Sequence, residues 1–297
     1  MVDKYFEKTM NDCWVASFGD THCGLKFGLL MPETQLHEET PDGEIVAYQP
    51  AFTKTQDFLL KLYNEQRRAV ADLADGLPII VIHGGDLCQG SQHPTQLMST
   101  RLSDQVFIGA DILRAWKDVP NLKAVRVVMG TETHNEGEGS LELLAVKQVE
   151  TELPIEISSH YRFMIDGVIF DVAHHGAGPS SRYWLNSNGL RWYIEDIVMR
   201  DTMELNEEPP DVVLRFHHHT FVAATHDYVY HRQPRKTFGY VHPAWCGMNP
   251  YAQKVTRSKA TTHYGMLAFH IKDNVVVEVV DRMVVWVDRR TKETIDV

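Results

Sequence analysis

The chain contains no run approaching ~18 consecutive apolar residues, the length a membrane-spanning helix needs, so no membrane partner is expected. It has four cysteines, Cys13, Cys23, Cys88 and Cys246, and none are spaced as Cys-x-x-Cys. That removes the paired-cysteine metal and redox motifs, and a chain of 297 residues does not need disulfide staples. Free, largely buried thiols in a reducing compartment are the expectation. Positive charge is also scarce: 29 Lys and Arg stand against 40 Asp and Glu, for a formal net charge of -11. Such a surface repels polyanions, which disfavours a sequence-independent nucleic-acid binder. Bound divalent cations would reverse the sign locally, so an anionic substrate at a metal site stays compatible. There is no internal repeat, no low-complexity tract and no obvious linker. Met1–Asn11 is polar and mixed in charge, unlike a signal peptide, and a cytoplasmic location is expected.

What is present is ordinary globular composition, with 43% hydrophobic and 23% charged residues, and sixteen histidines. Short apolar runs alternate with longer amphipathic ones, the pattern of strands exchanging with helices. Strands are predicted at 14–18, 78–82, 122–129 and 211–216. Helices are predicted from a Thr53 cap to Gly76, at about 94–116, at 140–150 and at about 181–203. Asp166-Gly167 and Asp273-Asn274 read as hairpin turns, and the valines of 275–287 read as sheet core. Helix-alternating strands followed by hairpins predict one α/β domain, 1–297, with two sheets. Residues 24–52 stand out as an insertion that would serve as a lid carrying His37 or as a solvated loop. Residues 220–297 form a strand-rich part that completes the second sheet.

Five places put metal-ligand residue types just beyond a predicted strand. They are Asp20-Thr21-His22, Asp86, the segment Gly130-Thr131-Glu132-Thr133-His134-Asn135, His174-His175 and His217-His218-His219. Random order would yield about one Asp-x-His and about one His-x-His, so neither is informative alone. Placement is the signal, because open α/β sheets collect ligands beyond the carboxyl ends of their strands. Buried carboxylates and imidazoles cost several kcal/mol unless paired or coordinated, and no Lys or Arg lies near Asp20 or Asp86 in sequence. Imidazole with carboxylate suits Zn, Mn, Fe or Ni.

In order and spacing these residues resemble the calcineurin-like metallophosphoesterases. That family's pattern runs Asp-x-His, Gly-Asp, Gly-Asn-His-Asp/Glu, an isolated His, and Gly-His-x-His. Gly19-Asp20-Thr21-His22, Gly85-Asp86, His174 and His217-His218-His219 match four of the five blocks. The resemblance implies a layered αββα sandwich of two mixed β-sheets flanked by helices, with the site at the strand ends. It implies two divalent metal ions, Mn, Zn or Fe. Asp20, His22, Asp86 and His219 would hold the first. Asp86, His174, His217 and one residue of the third block would hold the second. The implied activity is hydrolysis of a phosphomonoester or phosphodiester by a metal-bridging hydroxide, with His134 assisting the leaving group.

The third block departs from the pattern, since the expected Asn is missing after Gly130. Glu132 is the preferred substitute, with Thr131 and Asn135 as alternatives. Phe216 stands where the family has Gly, which leaves the ligands intact. His175 competes with His174 as ligand. Gln89, Gln92 and His93 follow Asp86 where many relatives carry a phosphate-binding Arg, which reads as a different substrate grip or as a polar loop of no special role. Arg182 and Arg191 read as surface charges. The stretch 245–263, with Trp245, Tyr251, Lys254, Arg257 and Lys259, and Tyr264 beside it, reads as a loop over the second sheet or as a pocket wall. A nuclease using the same site and a non-catalytic scaffold binding a partner protein are the alternative functions. A hydrolase of the His-x-His-x-Asp-His type is excluded by Phe221 at its Asp position.

Overall fold

The computed structural model describes residues 12–136, 140–180, 182–248, 253–254 and 259–294. Met1–Asn11, Ser181, Tyr251 and Arg257 lie outside them, as does the Asn135 side chain. The strands are β1 (Asp12–Phe18), β2 (Leu36–Glu39), β3 (Ile45–Tyr48), β4 (Ile79–His83), β5 (Leu122–Val128), β6 (Ile155–Ser158), β7 (His160–Ile165) and β8 (Val168–Ala173). They continue as β9 (Val212–Arg215), β10 (Val222–Tyr230), β11 (Gln233–Val241), β12 (Thr261–Tyr264), β13 (Leu267–Lys272), β14 (Val275–Val280) and β15 (Val285–Asp288). The helices are α1 (Lys54–Ala74), α2 (Leu102–Arg114), α3 (Glu132–Asn135), α4 (Ser140–Val149) and α5 (Asn188–Arg200).

Burial of β1 on both faces organises the layers. Trp14, Ala16 and Phe18 point into a core shared with Leu59 and Tyr63 of α1, Ile108 and Ile112 of α2, and Ala145 and Val149 of α4. Cys13 and Val15 point the other way, against Phe170, Val172, Val212 and Leu214 of the second sheet. A third cluster, Leu190, Ile194 and Val198 with Val222 and Val241, seats α5 on the outer face of that sheet. The period of two along a strand thus generates helix, sheet, sheet and helix in order. The six-stranded sheet runs β14-β13-β1-β4-β5-β6 and the five-stranded sheet β10-β11-β9-β8-β7. Strands β1, β4, β5 and β6 are parallel, while β13 and β14 add antiparallel. In the second sheet β8, β9 and β11 are parallel and β7 and β10 antiparallel, so both sheets are mixed. The layered sandwich is the observed fold.

Local chemistry accounts for most boundaries. Thr53 caps α1 through a capping box with Gln56, and Asp75 ends it in the left-handed region. Asp166 and Gly167 both take positive φ, 43° and 76°, as the two-residue hairpin between β7 and β8 requires. The predicted helix at 94–116 begins only at Leu102. Upstream of it, Pro94–Gln96 is a single 3-10 turn. The helix predicted at 181–203 is α5, which runs into one π-helical turn at Asp201–Leu205. The valines of β14 correct an expectation. That strand is the sheet's edge, and Val275 and Val277 are 53% and 51% exposed rather than core.

The insertion is neither a free loop nor a cover over the strand ends. Leu29, Leu30 and Leu36 are buried in the helix-side core, and β2 pairs with β3. His37 Nδ1 lies 2.8 Å from the Asp104 carboxylate of α2. Of the segment 24–52, only Leu25 lines the cleft described below.

Candidate metal centre

Every block singled out in the sequence sits just past the carboxyl end of a parallel strand. Asp20 and His22 follow β1, Asp86 follows β4, Thr131 follows β5, His174 follows β8, and His217 and His219 follow β9. Because β1, β4 and β5 belong to one sheet and β8 and β9 to the other, the two sheets bring their strand ends to a common crevice. Asp20, His22, Asp86 and His174 are all at most 4% exposed. Their ligand atoms fall into overlapping groups, each spanning no more than 4.8 Å: Asp20, His22 and His219; Asp20, Asp86 and His174; His22, Asp86 and His134; and His174, His175 and His217.

The backbone is strained where these residues occur. Asp20, His22, Asp86, His217 and His219 have φ of 53°, 45°, 49°, 70° and 50°. Residues other than glycine seldom adopt this left-handed region, at a cost of about 1 kcal/mol or more each. Five at one crevice mark a place where side-chain direction outweighs backbone comfort. The glycines between them are required by close approach. A Cβ on Gly130 would lie 2.2 Å from the Asp86 backbone nitrogen and 2.2 Å from its Oδ1. One on Gly84 would lie 2.2 Å from the Phe216 ring, which is buried and stacks on His242 at 4.4 Å. Phe216 therefore fills space that Gly84 and Gly19 leave open. We expect Gly130→Ala to push Asp86 aside and weaken metal affinity about 10–100-fold, the range for loss of a ligand's support. Calorimetric titration with Zn²⁺ or Mn²⁺ measures this, and an unchanged affinity would refute it.

Hydrogen bonds orient the imidazoles. Carbonyl oxygens only accept, so His174 Nδ1, 2.7 Å from the Gly84 carbonyl, and His134 Nδ1, 2.8 Å from the Gln89 carbonyl, both donate. His22 Nδ1 lies 2.9 Å from Gln89 Oε1 in the same arrangement. In each ring Nε2 is left as the inward nitrogen. His174 Nε2 lies 3.1 Å from Asp86 Oδ2, and His22 Nε2 3.0 Å from His219 Nε2 and 3.9 Å from Asp86 Oδ2. A ring whose outer nitrogen is tied to a carbonyl is a common support for metal-bound histidine.

Electrostatics agree. Burial, with the neighbouring His134 and His219, lowers the His22 pKa to about 3. Burial, with His174 and His175 nearby, lowers His217 to about 4. Burial opposes ionisation of Asp20 and Asp86, but contacts with His219 and His174 outweigh it, and both carboxyls fall below the usual range. Burial also works against charge on His174, yet Asp86 and Asp20 raise it to about 9. The crevice thus gathers two ionised carboxylates with His22 and His217 held neutral, while the same carboxylates raise His174 and His219, whose proton a bound cation would replace. Such a donor set fits a divalent cation, and two carboxylates with several imidazoles suit the borderline first-row metals. Asp20, His22, Asp86, His174, His217 and His219 fit.

The third block resolves differently from the preferred expectation. Glu132 opens α3 and is exposed, outside all four donor groups. The Thr131 hydroxyl instead lies 3.3 Å from each of Asp86 Oδ2, His174 Nε2 and His217 Nδ1, and its backbone N–H donates to Asp86 Oδ1 at 2.6 Å. The residue directly after Gly130 points inward, and the next one starts a helix turned to solvent. His134 lines the cleft beside His22, with ring centroids 4.8 Å apart. His175 is exposed but stays in the group with His174 and His217.

Three supports were not singled out from sequence. Glu142 of α4 accepts from the Leu87 N–H at 2.8 Å and the Gly130 N–H at 2.7 Å, tying the loops after β4 and β5 together. Burial raises its pKa to about 7. The available signal was an acid on the apolar stripe of α4, beside buried Leu141, Ala145, Val146 and Val149. His83 and His242 are fully buried, reaching Thr21 and Ser17 at 3.3 and 3.1 Å. Both are lowered to about 3 by burial. Nothing in their sequence neighbourhood separates such supports from ligands.

The donor groups open into a cleft of about 430 Å³. Beyond His22, Asp86, His134, His217 and His219, its wall includes Cys246–Met248, Lys259 and Thr261–His263. The described part of 245–263 is therefore a pocket wall in part. Trp245 and Tyr264 are buried in the core instead, with Trp245 against Tyr63. Arg182 and Arg191 are exposed. Among the described residues, no helix is long and apolar enough to cross a membrane.

No protein-family model matches the chain, and no curated protein matches it. Among solved structures it is similar to a protein of unknown function from Aquifex aeolicus. That likeness has 14% identity and a TM-score of 0.32, over 70% of this chain and 80% of the other.

Proposed function

We propose that this protein is a metal-dependent phosphoesterase of the calcineurin-like type. One observation carries the reading: Asp20, His22, Asp86, His174, His217 and His219 converge from four strand ends of two sheets, most of them on left-handed backbone. Structural packing alone gives no reason to gather two carboxylates and several imidazoles in strained conformations. Asp20, His22, Asp86 and His219 would hold one ion. Asp86, His174, His217 and the Thr131 hydroxyl would hold the other. Bound divalent ions would polarise a phosphoryl oxygen and make water a nucleophile near neutral pH.

The chain's own residues supply orientation and a proton. Gly84 and Gln89 hold the His174 and His22 rings through Nδ1, so that Nε2 stays directed inward. His134 is fixed the same way on the Gln89 carbonyl, which leaves its Nε2 as the nitrogen able to serve a leaving-group oxygen in the cleft. Glu142 keeps the Asp86 and Gly130 loops in register, so the carboxylate does not drift. The test is metal analysis of purified protein with a phosphoester panel in Mn²⁺, Zn²⁺ and Fe²⁺. About two ions per chain and turnover of an aryl phosphoester are expected. Protein that takes up no metal and hydrolyses nothing on the panel would overturn the reading.

A further inference from the structure

The cleft wall around Thr220, Lys259 and His263 has a chemistry of its own. Lys259 is the only Lys or Arg among its described lining residues. Among the described residues it has no carboxylate within ion-pair distance, and its Nζ donates to Thr220 Oγ1 at 3.3 Å. Thr220 directly follows His219, so this ammonium stands beside the strand end that carries two of the candidate ligands. Thr220 Oγ1 in turn lies 3.1 Å from His263 Nδ1, which also receives the Phe221 N–H at 2.8 Å. An Nδ1 that accepts from the backbone places the imidazole proton on Nε2. His263 is 5% exposed, and its Nε2 has no hydrogen-bond partner. The wall therefore offers two donors: the exposed Lys259 ammonium, with no carboxylate beside it, and the buried His263 Nε2–H, with no hydrogen-bond partner. Burial lowers the Lys259 pKa, the direction expected of an ammonium without a carboxylate partner.

We propose that Lys259, supported by Thr220 and His263, grips a non-bridging oxygen of a dianionic phosphomonoester, and so sets the preference for monoesters over diesters. This inference rests on the phosphoesterase reading above. Two dications against Asp20, Asp86 and a hydroxide nucleophile would leave a net charge of about +1, and Lys259 would raise it to about +2. A dianion matches that excess better than the single charge of a diester. It also answers the lack of Arg after Asp86, since a cation comes here from Lys259, beside the strand end that carries His219.

The experiment compares wild type with Lys259→Met and Lys259→Arg. Orthophosphate affinity is measured by calorimetry on metal-loaded protein, with metal content determined alongside. Kinetics are run on p-nitrophenyl phosphate and on bis(p-nitrophenyl) phosphate. Lys259→Met should keep its metal content but bind orthophosphate at least tenfold more weakly. It should raise KM for the monoester more than it lowers kcat, and lose several-fold more efficiency on the monoester than on the diester. Lys259→Arg should recover most of the loss. Equal orthophosphate affinity in wild type and Lys259→Met, or equal losses on both substrates, would overturn the proposal. Failure of the phosphoesterase reading is seen separately, as wild-type protein without bound metal or turnover.

Discussion

Asp86→Ala protein should carry fewer ions than wild type and turn over an aryl phosphoester at least about 10²–10³-fold more slowly. The size of the effect follows from sharing. Asp86 belongs to two of the donor groups, and its Oδ2 lies 3.1 Å from His174 Nε2 and 3.9 Å from His22 Nε2. Removing it vacates a position in each proposed ion site and leaves His174 beside a void. Two further variants locate the third-block ligand. Thr131→Val should weaken metal binding, because its hydroxyl sits among Asp86, His174 and His217. Glu132→Gln, on an exposed side chain, should leave metal content as in wild type. Metal analysis and initial rates decide all three. Wild-type metal content and rate in Asp86→Ala would end the metal-centre reading.

The second large effect concerns stability away from the cleft. Arg215 is 1% exposed, and its guanidinium donates to Asp171 Oδ1 at 2.5 Å, to the Tyr193 hydroxyl at 3.0 Å and to the Asp171 and Leu214 carbonyls. Asp171→Ala would leave that cation buried without its counter-charge, a change worth about 3–5 kcal/mol. The melting temperature should drop by roughly 2–4 °C for each kcal/mol. The pH dependence has a definite sign. Burial pushes the Asp171 carboxyl up, but His160 and Arg215 more than offset it, and the folded pKa lies below the unfolded one. Its stabilisation is therefore present above the unfolded carboxylate value and lost as pH falls through the lowered folded value. Wild type should lose melting temperature more steeply than Asp171→Asn as pH is lowered from 7 towards 3. Parallel curves for the two proteins would show that the pair contributes nothing.

Much of the fold was legible because it depends on short-range pattern. The apolar runs before Gly19, His83, Gly130 and Phe216 are strands, and the capping box at Thr53 and the turn at Asp166-Gly167 are where side-chain chemistry puts them. Expectations that failed needed knowledge of neighbours. Val275 and Val277 look like core residues, yet β14 is the edge of its sheet and both side chains stay about half exposed. The insertion at 24–52 looks like a loop, yet Leu29, Leu30 and Leu36 find a buried surface that the linear pattern does not announce. Glu132 looked the better ligand by charge, and the start of α3 turns it to solvent while Thr131 faces inward.

From the amino-acid order alone came an α/β domain with two sheets, the chain order of the ligand-bearing blocks and the residue types able to bind a cation. These follow from local forces: side-chain periodicity, turn preference and the donor chemistry of Asp and His. Only the packing of one sheet on the other decided which of those side chains meet, that Thr131 and not Glu132 enters the crevice, that Glu142 and Gln89 hold it in place, and that Lys259 lines the cleft beside Thr220. Such choices depend on contacts between residues far apart in the chain, sometimes nearly two hundred positions, as between His22 and His219. Backbone direction at five left-handed residues is likewise set by the surrounding fold, since no local preference would select it.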